Sequence, residues 1–230
     1  MTSTAGAHPP PRHAAQRVRD HWWWRPGWHA GRRFYTWHLT FDGQQDLHRL
    51  VRGYQAHLHL PALDLLPLPW LHLTVQGVGF TDQVSQRDLR AVVAAAAERC
   101  ARVAPFPLAL GPAAVGPEGV KLRVLPAAPV ERLRATLREA IAAVWGAGQV
   151  PEAAEGFSPH VSVAYSNAEG PAAPLIARVE RAGPQQATVT IRAAQLLDLE
   201  RDTHVYRWKT QATVPLLAEG TAEHTQADPP

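Results

Sequence analysis

The same four-residue pattern occurs twice in this chain, each time inside a stretch that alternates like a half-buried strand. His72-Leu73-Thr74-Val75 lies within PWLHLTVQG, and His160-Val161-Ser162-Val163 lies within FSPHVSVAYS. Successive side chains of a strand point to opposite faces. His72 and Thr74 therefore share one face, with Leu71, Leu73 and Val75 on the other. His160 and Ser162 likewise share a face opposite Val161 and Val163. A chain with two such strands must bury two apolar faces while keeping two imidazole–hydroxyl faces in polar surroundings. One copy recurs by chance in many proteins; a pair in two predicted strands is far more specific.

An imidazole beside a hydroxyl, presented twice, suits in-line attack on phosphorus. A neutral imidazole takes a proton from water or a ribose hydroxyl, and a protonated one gives a proton to the leaving oxygen. Histidine has both forms within reach near neutral pH. The hydroxyls donate hydrogen bonds to non-bridging phosphate oxygens as charge shifts. Such a site needs no metal and no cofactor.

Around these motifs the periodicity alternates. FYTWHLTF reads as a strand with Tyr35, Trp37 and Leu39 on one face, and Leu47, Leu50, Val51, Tyr54 and Leu58 recur at helical spacing over 44–58. A proline-bearing loop leads into WLHLTVQGVGF, and Ser85 caps a helix over 86–103 with Asp88 in its first turn. FPLALGP and GVKLRVLP form a hairpin-like pair, followed by a helix over 129–145 that Gly146 and Gly148 stop. Then come SPHVSVAYS, a short helix over 174–182, and two long strands, QATVTIRAAQLLDLE and HVYRWKTQATVPL, joined at Arg201–Asp202. The order lacks regular βαβ spacing and a glycine-rich phosphate loop. It predicts an α+β domain over 34–217 with largely antiparallel sheets.

The ends differ in composition. Residues 1–33 read as a flexible segment, the first twenty disordered, carrying the tryptophan-rich HWWWRPGWHAGRR. Trp22, Trp23, Trp24 and Trp28 are costly to leave in water, so this stretch is expected to fold back over the domain as a packing strap or a nucleobase-stacking lid. Residues 218–230 are polar, end in two prolines and read as a disordered tail.

A net charge of +3 permits a phosphate-bearing partner without demanding one, and no long basic tract for duplex nucleic acid is present. The single cysteine, Cys100, excludes an intrachain disulfide and sits in an alanine-rich stretch that reads as packing. No run approaches the roughly 20 apolar residues of a membrane span, and the N-terminus lacks the apolar core of a secretory signal. These features point to a cytoplasmic, monomeric protein with no membrane partner.

Further candidates carry weaker signals. Lys121 and Arg123 share a face of GVKLRV and either meet the phosphate or RNA backbone or form a solvated face. Trp37 either lines the rim of a substrate groove or packs, and Trp208 is similar. Tyr165, five residues beyond His160, falls on the opposite strand face and reads as core. His57 and His59, with Asp64 downstream, raise the alternative of a metal-dependent hydrolase, although no Cys or Glu cluster completes a shell. His38 and His204 belong to no pattern.

The paired motifs resemble those of the two-histidine phosphoesterase superfamily, which includes the bacterial 2'-5' RNA ligase and RNA 2',3'-cyclic phosphodiesterase proteins. The resemblance spans roughly residues 34–216, with Ser162 where many members have threonine. It implies two pseudosymmetric lobes facing a central groove, with helices on the outside and one motif from each lobe. By that resemblance His72 and His160 are the acid–base pair and Thr74 and Ser162 the phosphate ligands. The implied activity is metal-independent hydrolysis of a 2',3'-cyclic phosphate, or of a 2'-5' linkage, on an RNA end or nucleotide. A non-catalytic RNA- or nucleotide-binding module on the same fold is the alternative. The tryptophan-rich segment is no part of the general pattern.

Overall fold

The computed structural model describes residues 13 and 15–218. In chain order the elements are β1 (Arg17–Val18), β2 (Phe34–Thr40), α1 (Gln45–Gln55), β3 (Leu63–Leu65), β4 (His72–Phe80), α2 (Gln86–Cys100), β5 (Phe106–Gly116) and β6 (Gly119–Leu125). They continue with α3 (Ala128–Trp145), β7 (His160–Ser166), β8 (Gly170–Pro171), α4 (Ala173–Ala182), β9 (Ala187–Ile191), β10 (Ala193–Glu200) and β11 (Arg207–Pro215).

Each helix forms where the apolar spacing predicts one. α1 buries Leu47, Leu50, Val51 and Tyr54 on one stripe. The Ser85 side chain caps α2 by accepting from the Asp88 N–H at 3.1 Å. Gly146, at φ +86, stops α3 in a backbone conformation that a side chain would strain.

The strands make two main sheets, and among the described residues every pairing is antiparallel. One has the order β11-β10-β2-β4, the other β3-β7-β6-β5-β9. α2 and α3 back the four-stranded sheet, and α1 and α4 back the five-stranded sheet. The two motif strands, β4 and β7, come from different sheets and approach one another. This is the expected α+β arrangement of two lobes with helices outside.

Three features differ from the periodicity. The stretch 187–200 is two strands in different sheets: β9 pairs with β5, and β10 pairs with β2 and β11. The buried positions run 187, 189 and 191 in β9 and then 194 and 196 in β10, so the phase slips by one residue at the change of partner, a slip that apolar Ala193 and Ala194 together hide in the sequence. The link from β10 to β11 is a longer loop over 201–206, with His204 at φ +53 and Arg201 buried. At the N-terminus, the expected flexible segment falls partly on residues 1–12 and 14, outside the described ones. Arg17–Val18, in contrast, pair with Gly170–Pro171, and the Arg19 N–H donates to the Pro117 carbonyl at 2.8 Å. The expected tail over 219–230 also lies outside the described residues.

Cys100 is fully buried, and burial raises its thiol to about 11, which fits packing. Among the described residues no helix is long and apolar enough to cross a membrane.

Candidate active site

His72 and Thr74 on β4 and His160 and Ser162 on β7 line one cavity of about 340 Å³ between the sheets. The two strands present them with matching local geometry. His38 lies opposite Thr74 and Trp37 opposite Gln76, which leaves Val75 as an extra residue in β4. Lys121 lies opposite Ser162 and Val120 opposite Ala164, which leaves Val163 as an extra residue in β7. Both motifs thus carry a bulge at their fourth residue, a device that bends a strand and re-aims its side chains.

The imidazoles are held alike as well. His72 Nδ1 donates to the Trp70 carbonyl at 2.8 Å, and His160 Nδ1 donates to the Ser158 carbonyl at 2.8 Å. A carbonyl can only accept, so both Nδ1 atoms carry hydrogen and both Nε2 atoms are left for chemistry. Burial lowers the His72 pKa to about 4, with the nearby charge of His160 adding to the effect and the Trp70 carbonyl opposing it. His160 is open to the groove, yet the protein packed around it still lowers its pKa; Lys121 adds to this, and the Ser158 carbonyl and Glu118 oppose it.

His38, which no pattern marked, enters the same cavity. Its ring stacks on His72 with centroids 4.7 Å apart and planes 12° apart, and its Nε2 lies 3.2 Å from Thr74 Oγ1. Its Nδ1 is buried and has no partner among the described residues. An Nε2–H tautomer fits best: it donates to Thr74, leaves the threonine hydrogen free to donate into the cavity, and leaves no N–H stranded. Burial, with His72 adding, holds the His38 pKa well below the usual histidine range. The alternation in FYTWHLTF held the signal, since burying Tyr35, Trp37 and Leu39 sends Thr36 and His38 to the opposite face.

The tryptophan-rich segment forms another wall. Trp22 is buried, and its Nε1 donates to Asp64 Oδ2 at 2.8 Å. His21 stacks on Tyr165 with centroids 3.8 Å apart, and its ring nitrogens lie 3.0 Å from Glu118 Oε2 and 2.9 Å from the Tyr206 hydroxyl. Glu118 also accepts from Arg19 and Arg25. Burial alone would raise the Glu118 carboxyl, but the His21 hydrogen bond and the Arg25 charge hold it well below the usual carboxylate range. Tyr206 completes the connection by standing edge-on to His72, with centroids 5.6 Å apart. Trp28 lines the cavity too.

Other expectations need correction. Trp37 is 0% exposed and packed in the core, so it has no surface to offer a substrate. Tyr165 is buried but lines the cavity, because the Val163 bulge shifts the alternation after Ser162. Lys121 borders the groove beside Ser162 and His160. Arg123, opposite His160 in register, is not among the residues lining that cavity. His57 and His59 are exposed, while Asp64 is taken up by Trp22, Asn167 and His204. Among the described residues no group of three or more His, Cys, Asp or Glu is placed to hold a metal ion.

Two antiparallel lobes, each bringing a histidine and a hydroxyl to one groove, define a two-histidine phosphoesterase. The family model of the 2'-5' RNA ligase superfamily matches residues 44–203, and the chain belongs to that superfamily. Among solved structures, the fold is similar to that of TT0787 of Thermus thermophilus, at TM-score 0.62 and 19% identity over 82% of this chain and 100% of that one. It is also similar to E. coli LigT in apo form, at TM-score 0.58 and 15% identity over 80% of this chain and 97% of that one. E. coli LigT complexed with 3'-AMP matches at TM-score 0.57 and 16% identity, over 80% of this chain and 98% of that one. No curated protein matches.

Proposed function

We propose that this chain is a metal-independent cyclic phosphodiesterase that hydrolyses a 2',3'-cyclic phosphate on an RNA end or nucleotide, with His72 as general base and His160 as general acid. The observation that carries this reading is the duplicated geometry: each imidazole is fixed through Nδ1 to the carbonyl two residues earlier, and both line one groove with Thr74 and Ser162. Membership of the superfamily and the 3'-AMP complex of LigT support a nucleotide phosphate in that groove.

The roles follow from the electrostatics. With its pKa near 4, His72 is neutral at neutral pH and ready to accept a proton. Its Nε2 takes a proton from water as the water oxygen bonds to phosphorus. The bond from phosphorus to one ribose oxygen breaks, and protonated His160 Nε2 gives that oxygen its hydrogen. The product is a ribose phosphate monoester, and a proton exchange with solvent resets both rings. Thr74 and Ser162 donate to the non-bridging oxygens, whose negative charge grows on the way to the transition state.

The test is a panel of cyclic phosphates, including cyclic-phosphate-ended RNA and nucleoside 2',3'-cyclic phosphates, assayed with EDTA present. His72→Ala and His160→Ala should each lower turnover by roughly 10²–10⁴-fold. Full activity in the double variant, or loss of activity to the chelator, overturns the reading. Tight binding without turnover across the panel would instead identify a binding module.

A further inference from the structure

Arg201 is a buried cation that forms no ion pair among the described residues, although the Glu118 carboxylate in the same cavity favours its charge at longer range. The arginine is 3% exposed and lines the cavity that holds His72 and His160. Its Nη2 donates to the His21 carbonyl at 2.9 Å, while its Nη1 is buried with no hydrogen-bond partner among the described residues. No salt bridge within the described residues includes it. Three aromatic faces surround the guanidinium, with the centroids of Trp22, Trp28 and Tyr206 at 5.5, 5.8 and 5.7 Å. Such faces attract a cation but do not accept its in-plane hydrogens, and a buried charge left unpaired is costly. Arg25 lines the same cavity, and its Nε is also buried and unpartnered among the described residues.

Among the described residues no acceptor meets the Arg201 Nη1. In the proposed function the motif hydroxyls and imidazoles serve the reacting phosphorus, and the ring of Tyr206 neighbours both His72, at 5.6 Å between centroids, and the Arg201 guanidinium, at 5.7 Å. A second anionic group of the same substrate fits this geometry. We propose that Arg201, assisted by Arg25, forms a second phosphate subsite that takes the phosphate on the 5' side of the reacting ribose. Guanidinium groups suit this task, since their fixed fork of donors matches phosphate oxygens. Much of the subsite comes from the N-terminal segment: the His21 carbonyl, Trp22, Arg25 and Trp28 lie outside the residues 44–203 matched by the family model. The subsite thus rests on the proposed function for its reacting end, while its selectivity belongs to this chain.

That 5' phosphate has two sources, a free nucleotide or the preceding diester of an RNA chain. The test is calorimetric binding, which needs no turnover, of 3'-AMP, adenosine 3',5'-bisphosphate and the dinucleotide ApAp. Wild type should bind at least one of the two-phosphate ligands about tenfold or more tighter than 3'-AMP, the worth of a hydrogen bond to a charged group. The tighter of the two identifies the source. Arg201→Gln should remove most of that preference. Arg25→Gln, at a half-exposed position, should reduce it and serves if the Arg201 variant melts early. Equal affinities for all three ligands in wild type overturn the subsite alone. A variant that weakens all three equally does so as well, because Arg201 then serves the reacting phosphate. No binding of 3'-AMP removes the catalytic reading and the subsite together.

Discussion

The imidazole of His38 lies almost parallel to that of His72, 4.7 Å away, and its Nε2 reaches the Thr74 hydroxyl at 3.2 Å. One side chain from the neighbouring strand thus touches both His72 and Thr74. His38→Phe keeps a ring against His72 and removes the hydrogen bond. It should lower kcat about tenfold, against roughly 10²–10³-fold for Thr74→Val, which deletes the phosphate donor itself. If His38 acts through Thr74, the double variant is no slower than Thr74→Val alone. Independent, multiplying losses in steady-state kcat would refute that link.

Activity should be greatest on the acidic side of neutrality. His72 stays neutral until pH falls to about 4, whereas His160, lowered from its ordinary 6.5, loses the proton it must donate as pH rises. The kcat/KM profile should therefore decline by about pH 8 and hold up at about pH 5. An acidic limb near pH 6.5 that is absent from the His72→Ala residual rate would contradict the assignment of the base.

Fold stability should move the other way in acid. His72 and His38 have folded pKa values below the unfolded 6.5, so the unfolded chain binds protons first as pH falls. Stability is present in full above about 6.5 and is lost between about 6.5 and 4, roughly 3 kcal/mol of it from His72. Urea midpoints measured from about pH 7 to about pH 4.5 should fall steadily, and His72→Gln should flatten part of the slope. A midpoint that rises on acidification would rule this out.

Arg134 should hold the first bulge in place. Its guanidinium is buried and donates to the carbonyls of Val75 at 3.1 Å, Ala153 at 2.7 Å and Ala154 at 2.7 Å. Val75 is the extra residue of β4, one position beyond Thr74. Arg134→Leu strands these carbonyls and should cost about 2–4 kcal/mol in urea unfolding. Activity measured well below the transition should fall too, because Thr74 loses its aim. Unchanged kinetics at full folding would separate the bulge from catalysis.

What could be read from the sequence was what depends on short-range period. The faces of His72 and His160, the stripes of α1 and α2, and the Ser85 cap each need only a few neighbours in the chain. What could not be read depends on which segments meet. The bulge at Val163 turns Tyr165 into the groove, and a phase change of one residue is invisible without the partner strand. The step at Arg192 sends β9 and β10 to different sheets with a one-residue change of buried phase, which two adjacent alanines, Ala193 and Ala194, conceal in the sequence. His21, Glu118 and Tyr206 become one hydrogen-bonded line only once the N-terminal segment lies across the groove. Trp37 reads as an available aromatic because composition does not say which face of β2 is the interior.

α1 leaves the four-stranded sheet after β2 but packs on the five-stranded one, and α3 leaves the five-stranded sheet after β6 but packs on the other. Each sheet thus takes a supporting helix from chain that has just run out of the other sheet. The strands interleave as well, since β3 precedes β4 yet joins the five-stranded sheet, and β10 and β11 return from the far end of the chain to the four-stranded one, so no single cut in the gene would separate the two lobes. His72 and His160 thus reach one groove through the same interleaving that makes folding a joint act of both lobes.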